Sequence, residues 1–177
     1  MKPHLLLASA LSLAACQPVD AAPPTAAVSP AQVAAALAPL VRGDAVRSVR
    51  FVMEPPFTEH PAAMHADQLR RYGCRYETDD PSRMAALAGR LREAAVSAAP
   101  AGRESRELRQ VLDIEFVDGT TLTLEFGELF PLDPVMRGSA NGLDVTARRA
   151  LQLDLFRWAR SLPAKPEKCR RFMEDLD

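Results

Sequence analysis

The segment VLDIEFVDGTTLTLEF, residues 111–126, constrains the fold more than any other part of this 177-residue chain. Apolar and polar side chains alternate on both sides of an Asp-Gly pair, which is the pattern of two half-buried strands joined by a tight turn. A two-residue loop would set apolar residues opposite threonines, whereas a three-residue loop pairs Ile114 with Leu122. We therefore predict an antiparallel hairpin with the loop 117–119, in which Gly119 is left-handed.

The remaining segments have helical or strand periodicity and predict one α+β domain. A short N-terminal helix is expected to begin at the cap Ser29 and to end at Pro39. The other predicted elements are strands over 46–54 and 70–78, a short strand pair around Asn141-Gly142, and amphipathic helices from Pro81 to about 95 and from about 146 to 162. This order predicts an antiparallel sheet of about four main strands, with two amphipathic helices on one face and the short N-terminal helix in addition.

The last predicted helix has the clearest core signal. Its apolar residues form one stripe at helical spacing, made of Ala147, Leu151, Leu155, Trp158 and Leu162. We therefore expect Trp158 to be buried against the sheet. Arginines on the flanks of this helix, together with Arg70, Arg71 and Arg75, could bind an anionic surface, although such arginines more often solvate a helix face.

A short apolar run lies at the start of the chain. The eleven residues Leu5 to Ala15 are all Leu, Ala or Ser. They are too few to cross a hydrocarbon layer about 30 Å thick, so the run is typical of the hydrophobic part of a signal peptide. It ends in Leu13-Ala14-Ala15-Cys16, which resembles the lipobox of bacterial lipoproteins, where the cysteine is lipidated and becomes the first residue of the mature chain.

This resemblance implies a division of the chain into three parts. Residues 1–15 are then a signal peptide, 16–28 the lipidated Cys16 with a Pro/Ala-rich tether, and 29–177 a single α+β domain with a C-terminal tail. Because Gln17 and not Asp follows the cysteine, the resemblance favours the outer membrane, with the domain facing the periplasm. Two or three acyl chains make such an anchor stable. The alternative is an ordinary secretory signal with a chance cysteine.

Composition excludes several classes of function. The net charge is −1, so the chain has no basic excess and a general nucleic-acid binder is excluded. The hydrophobic fraction of 47% and the charged fraction of 25% are typical of a globular protein. The sequence has no P-loop, dinucleotide fingerprint or Ser-His-Asp signature, so we expect no cofactor.

Two cysteines remain besides Cys16. Cys74 lies on the apolar face of a predicted strand, between Tyr72 and Tyr76, and Cys169 lies in the polar C-terminal tail. An even number of cysteines in an oxidising compartment predicts a disulfide between them. Two separate buried thiols are the alternative.

A metal site is a weaker hypothesis for the same region. Met53, His60, Met64, His65 and Cys74 fall within 22 residues, and such soft ligands suit copper. The sequence has no tight Met or His repeat, however, and Cys74 is better used in the disulfide. His60, Met64 and His65 are therefore only weak candidates for metal binding.

A cysteine enzyme is a further alternative. The order of His60 and Gly73-Cys74-Arg75 resembles that of L,D-transpeptidases, which act on the cell wall with a thiolate. Arg71 stands where those enzymes have Ser or Thr, and His60 is too close to Cys74. A thiolate without a base partner is poorly activated.

The leading hypothesis is a non-enzymatic lipoprotein that binds an envelope protein or a cell-wall component, or serves as a structural module there. It depends on the anchor, on the small domain and on the lack of a catalytic signature. An envelope hydrolase or transferase with a site scattered along the sequence is the alternative, and a metal or ligand carrier is the third.

Overall fold

The computed structural model describes residues 29–54, 63–99, 107–129, 132–162 and Cys169. The predicted signal peptide, Cys16, the tether and His60 lie outside these residues. The helices are α1 (Pro30–Arg42), α2 (Ala66–Tyr72), α3 (Pro81–Glu93) and α4 (Leu151–Arg160). The strands are β1 (Val46–Met53), β2 (Cys74–Thr78), β3 (Ser97–Ala98), β4 (Leu108–Phe116), β5 (Thr121–Gly127), β6 (Val135–Ala140) and β7 (Leu143–Arg148).

The strands form one antiparallel sheet in the order β2-β1-β4-β5-β6-β7-β3. The protein is α+β, but the predicted sheet of about four main strands with two amphipathic helices on one face and a short N-terminal helix is wrong. The described residues form seven strands and four helices. Helices α1, α3 and α4 cover one face of the sheet, and α2 packs on the other. The two-residue β3 is too short to produce a periodic signal, and β6 and β7 are full members of the sheet.

The hairpin at 117–119 is confirmed. Ile114 lies opposite Leu122, and Gly119 has a φ of +85°. Asp118 accepts hydrogen bonds from the hydroxyl and the backbone N–H of Thr120, at 2.7 and 2.9 Å. These two bonds favour the ionised carboxylate and hold the pKa of Asp118 below its usual range. The loop is therefore stabilised by its own side chains.

The second predicted turn is also confirmed. Asn141 and Gly142 join β6 to β7, with φ values of 48° and 78°. Two successive positive φ values are the signature of a type I′ turn, whose twist matches that of the flanking strands. The Asn141 carboxamide also accepts the backbone N–H of Thr123 on β5, at 2.8 Å, so this turn is tied to the next strand.

The predicted strand over 70–78 is wrong in its first half. Residues 66–72 form α2, and the strand begins only at Cys74. The side chain of Tyr72 is 57% exposed and does not share a buried face with Cys74. Gly73 ends the helix at a point where a Cβ atom would lie 2.7 Å from the Leu69 carbonyl oxygen and 2.8 Å from Val52. This close approach explains the glycine.

The predicted helix over 146–162 begins too early. Residues 143–148 form β7, in which Val145 lies opposite Gly138 and Ala147 opposite Met136. Val145 and Ala147 are both buried in the core. A strand that alternates and a helix that continues the stripe of α4 would each place Ala147 in that core. The stripe alone does not show where the strand ends and the helix begins.

Helix α1 does not end at Pro39. It continues to Arg42, and Gly43, with a φ of 78°, forms its C-cap. The carbonyl of Pro39 accepts the N–H of Asp44 at 2.9 Å, and the carbonyl of Leu40 accepts that of Gly43 at 3.3 Å. These bonds satisfy the last carbonyls of the helix and stabilise the turn beyond the proline.

Trp158 lies in the core, as predicted. It is 3% exposed, and its neighbours on the stripe, Leu151 and Leu155, are fully buried. Its ring meets that of Phe51 on β1 edge to face, with centroids 6.2 Å apart. Its Nε1–H donates to the carbonyl of Arg83 on α3 at 2.9 Å. One side chain therefore joins α4, α3 and the sheet.

Over the described ranges, no helix has the length and apolar content needed to cross a membrane.

Candidate functional site

Outside the small apolar cluster under α2, the sheet face opposite α1, α3 and α4 carries ion pairs between strands and between α2 and the sheet. Arg50 on β1 contacts Glu77 on β2 at 2.7 Å. Arg70 on α2 contacts Asp113 on β4 at 2.9 Å, and Asp113 also accepts the hydroxyl of Thr123 on β5. Such partly exposed pairs each contribute less than about 1 kcal/mol to stability. Their charges are already compensated, which makes them poor candidates for recognising an ion.

The arginines near the last helix are also engaged. Asp154 on α4 lies 3.6 Å from Arg90, 3.2 Å from Arg148 and 3.7 Å from Arg157. Arg149 donates to the carbonyl of Asp133 at 2.7 Å. These contacts link α3, β7 and α4. The arginines that the sequence offered for an anionic surface therefore have partners within the fold.

Those metal candidates that the structure describes do not converge. Met53 is fully buried in the core on the face covered by α3 and α4, whereas Met64 is buried in a small cluster under α2 on the other face. His65 is exposed at the N-terminus of α2. Within the described part of the chain, no three His, Cys, Asp or Glu side chains are placed to hold a metal ion.

Cys74 and Cys169 are paired at disulfide distance, as predicted. Their Cα atoms are 5.6 Å apart, within the range that a disulfide needs. Both residues are buried, with exposures of 1% and 0%. The pair attaches Cys169, from the C-terminal tail, to the sheet at its edge strand β2. Cys74 is thereby occupied and is not available as a nucleophile or as a metal ligand.

Two polar side chains are buried in the core without a partner. Gln110 lies on β4 between Met53 and Phe126, is 1% exposed, and neither of its amide atoms has a hydrogen bond in the structure described. The hydroxyl of Tyr76 on β2 is also buried and has no hydrogen bond in the structure described. Burial raises the pKa of Tyr76 to about 12. An unpaired buried polar group costs about 1–3 kcal/mol, so the Tyr76 hydroxyl and the Gln110 amide each lower stability relative to an apolar group of the same shape.

We expect Tyr76→Phe to leave the free energy of unfolding unchanged or to raise it by up to about 1–2 kcal/mol, because it removes a buried hydroxyl that has no partner. The pH dependence gives a second readout. The folded pKa, about 12, lies above the ordinary value of 10.0, so the neutral phenol is favoured in the fold. The resulting stability is present below pH 10 and is lost as the pH rises toward 12.

Urea unfolding from pH 8 to 11 measures this loss in the wild type, in Tyr76→Phe and in the exposed control Tyr72→Phe. The decline above pH 10 should be smaller in Tyr76→Phe alone. Destabilisation by Tyr76→Phe of more than about 1 kcal/mol at pH 8 would show that the hydroxyl has a partner.

A groove lies between the C-terminal end of α1, the start of β1 and helix α3. Its volume is about 610 Å³, within the range of small-molecule sites. The apolar lining is formed by Leu40, Val46, Met84, Ala85 and Ala88. Leu40 and Met84 are buried at 4% and 6% exposure, whereas Ala85 is exposed. The small alanines of α3 leave room for the groove.

Two charged residues, Asp44 and Arg92, also line the groove. Asp44 is paired with Arg42 at 2.6 Å. Arg92 and Arg137 are the arginines of the described ranges for which no hydrogen bond, ion pair or ring contact is found. Arg137 alternates with the buried Met136 on β6 and so lies on the polar face of the sheet, away from the groove. Arg92 is therefore an uncompensated cation beside an apolar groove.

Sequence reasoning missed the groove, although one signal for it was present. Pro81, Ala85, Ala88 and Arg92 follow helical spacing and form a second stripe on α3, beside the buried stripe that contains Met84. Gln110 was missed too. It has the same parity as Leu112 and Ile114 on β4, so alternation extended toward the N-terminus would have placed it in the core.

Comparison with profiles of known protein families, with curated proteins and with solved structures yields no match.

Proposed function

We propose that this protein is a bacterial lipoprotein, anchored in the outer membrane through Cys16, whose domain faces the periplasm and serves as a non-enzymatic binding or structural module of the envelope. The domain then lies at the end of a tether, residues 17–28, that reaches at most about 3.1 Å per residue in an extended conformation. The partners are the membrane, through the anchor, and a component of the envelope.

The observation that carries the proposal is the pairing of Cys74 with Cys169. Disulfides persist in the periplasm and are rare in the cytosol, where thiols are kept reduced. Two buried cysteines with Cα atoms 5.6 Å apart therefore support export. This support is independent of the lipobox-like tetrapeptide at Leu13-Ala14-Ala15-Cys16, and the two features favour the same compartment.

Binding is favoured over catalysis by how the reactive residues are used. Cys74 is engaged with Cys169, and His65 lies exposed at a helix start on the other side of the sheet. Asp113 and Asp154 are each held by arginines. The groove beside α3 presents an apolar surface with one free cation, which suits recognition of a ligand better than proton transfer.

Cys16→Ser tests the anchor. We expect the wild type to incorporate labelled palmitate and to fractionate with the outer membrane of a Gram-negative host. The serine variant should lose the label completely and leave the outer-membrane fraction, because serine has no thiol to accept the lipid.

Gln17→Asp is the matched control. It keeps the acceptor cysteine, so the label should remain, but the protein should move toward the inner-membrane fraction, where Asp at this position retains lipoproteins. Unchanged labelling and outer-membrane localisation of Cys16→Ser would contradict the proposal. So would a wild type that never acquires the label.

A further inference from the structure

We propose that the groove beside α3 binds a long-chain fatty acid, with the alkyl chain on the apolar lining and the carboxylate on Arg92. This site is a property of the folded domain, so the inference goes beyond the proposed membrane anchor and does not depend on it.

Part of the apolar lining of the groove is exposed to solvent. Ala85 is exposed on the groove wall, Leu40 and Met84 form the buried floor, and Val46 closes the β1 side. Ala45 also lines the groove, and its carbonyl accepts the backbone N–H of Val117 at 2.9 Å. Each CH₂ group buried here strengthens binding by up to about fourfold.

The charges define the head group. Asp44 and Arg42 neutralise each other through their 2.6 Å contact. The groove therefore has a net charge of one positive unit, which Arg92 carries. A guanidinium matches a carboxylate in geometry, since two N–H groups can donate to its two oxygens. A monoanion is therefore the complementary ligand, because one guanidinium leaves the second charge of a dianion such as a phosphate monoester uncompensated. An alkyl chain with one terminal carboxylate combines both features.

Equilibrium binding of radiolabelled palmitate tests the site. The full-length Cys16→Ser chain is used in detergent-free buffer, because it has no acyl group of its own that could compete. Palmitate is kept below the concentration at which it aggregates. We expect saturable binding of one palmitate per chain, and binding of hexadecanol about fivefold weaker, since an exposed ion pair contributes up to about 1 kcal/mol, which is about fivefold in affinity.

Three variants in the same background separate the two parts of the site. Arg92→Gln should weaken palmitate binding about fivefold and remove the preference over hexadecanol. Arg137→Gln, the control, removes an arginine on the opposite sheet face that is also unpaired within the described ranges, and it should leave both affinities unchanged. Ala85→Phe should fill the groove and weaken both ligands at least tenfold, while thermal unfolding confirms that the variant is folded.

Several results would overturn the inference. These are the absence of saturable palmitate binding, equal effects of Arg92→Gln and Arg137→Gln, or wild-type binding by folded Ala85→Phe. A concentration-dependent dimer that Ala85→Phe dissociates would assign the groove to a second copy of the chain instead, and would also overturn it.

Discussion

Trp158→Ala is expected to lower the free energy of unfolding by about 3–5 kcal/mol, the range for removing a large aromatic side chain from a packed core. The indole is 3% exposed and contacts Phe51 edge to face. Its N–H donates to the Arg83 carbonyl at 2.9 Å, so the substitution also removes a hydrogen bond between α4 and α3. Urea unfolding followed by circular dichroism measures the change.

Leu153→Ala is the matched control on the same helix. Leu153 is 51% exposed, so its truncation should change the free energy of unfolding by less than about 0.5 kcal/mol. A loss below about 1 kcal/mol for Trp158→Ala would mean that α4 contributes little to the core, and it would contradict the packing described above.

The double variant Cys74→Ala/Cys169→Ala should lower the free energy of unfolding by about 2–5 kcal/mol. The two cysteines are 95 residues apart in sequence, so a bond between them restricts a long loop of the unfolded chain. Denaturant unfolding of protein extracted from the outer membrane measures the difference, with all samples kept free of reductant.

Reductant provides the internal control for this prediction. Dithiothreitol should destabilise the wild type toward the double variant and should leave the double variant unchanged. Free-thiol labelling of both cysteines in unfolded, unreduced wild type would contradict a disulfide, and so would equal stability of the wild type and the double variant.

The hairpin of β4 and β5 was predictable because two constraints agreed. Alternation fixed the faces of both strands, and pairing Ile114 with Leu122 allowed only an odd loop around Gly119.

Residues 66–78 gave no such agreement. The alternation from Tyr72 to Tyr76 predicted a strand. Helix α2 has a single buried residue, Leu69, which packs in the small cluster on the far face of the sheet. One apolar residue is too few to produce a helical period.

The boundary between β7 and α4 was missed for a different reason. Ala147 faces the core in the strand, and Leu151 faces it in the helix, at a spacing that one continuous helix also satisfies. Tertiary pairing with β6 decides the outcome, because Val145 and Ala147 complete the sheet beside Gly138 and Met136. The pattern of apolar residues alone does not predict that β7 pairs with β6.

The cysteine pair was predictable from the sequence, whereas the groove was not. The Cys74–Cys169 pair followed from the number of cysteines and the compartment that the N-terminal segment suggests, without any knowledge of the fold. The groove required the fold, because its lining comes from residues 40–46 and from α3, which meet only in three dimensions. The importance of Arg92 also appeared only once the partners of the other arginines were known.

The most direct test of the account is the mass of the mature N-terminal peptide, measured on protein extracted from the outer membrane of a Gram-negative host. The account predicts that the chain begins at Cys16, with residues 1–15 removed and with the mass of a diacylglyceryl group and an N-linked acyl chain added to that cysteine. A mature chain that begins elsewhere, or an unmodified Cys16, would contradict the central claim that this domain is held on the membrane by lipid.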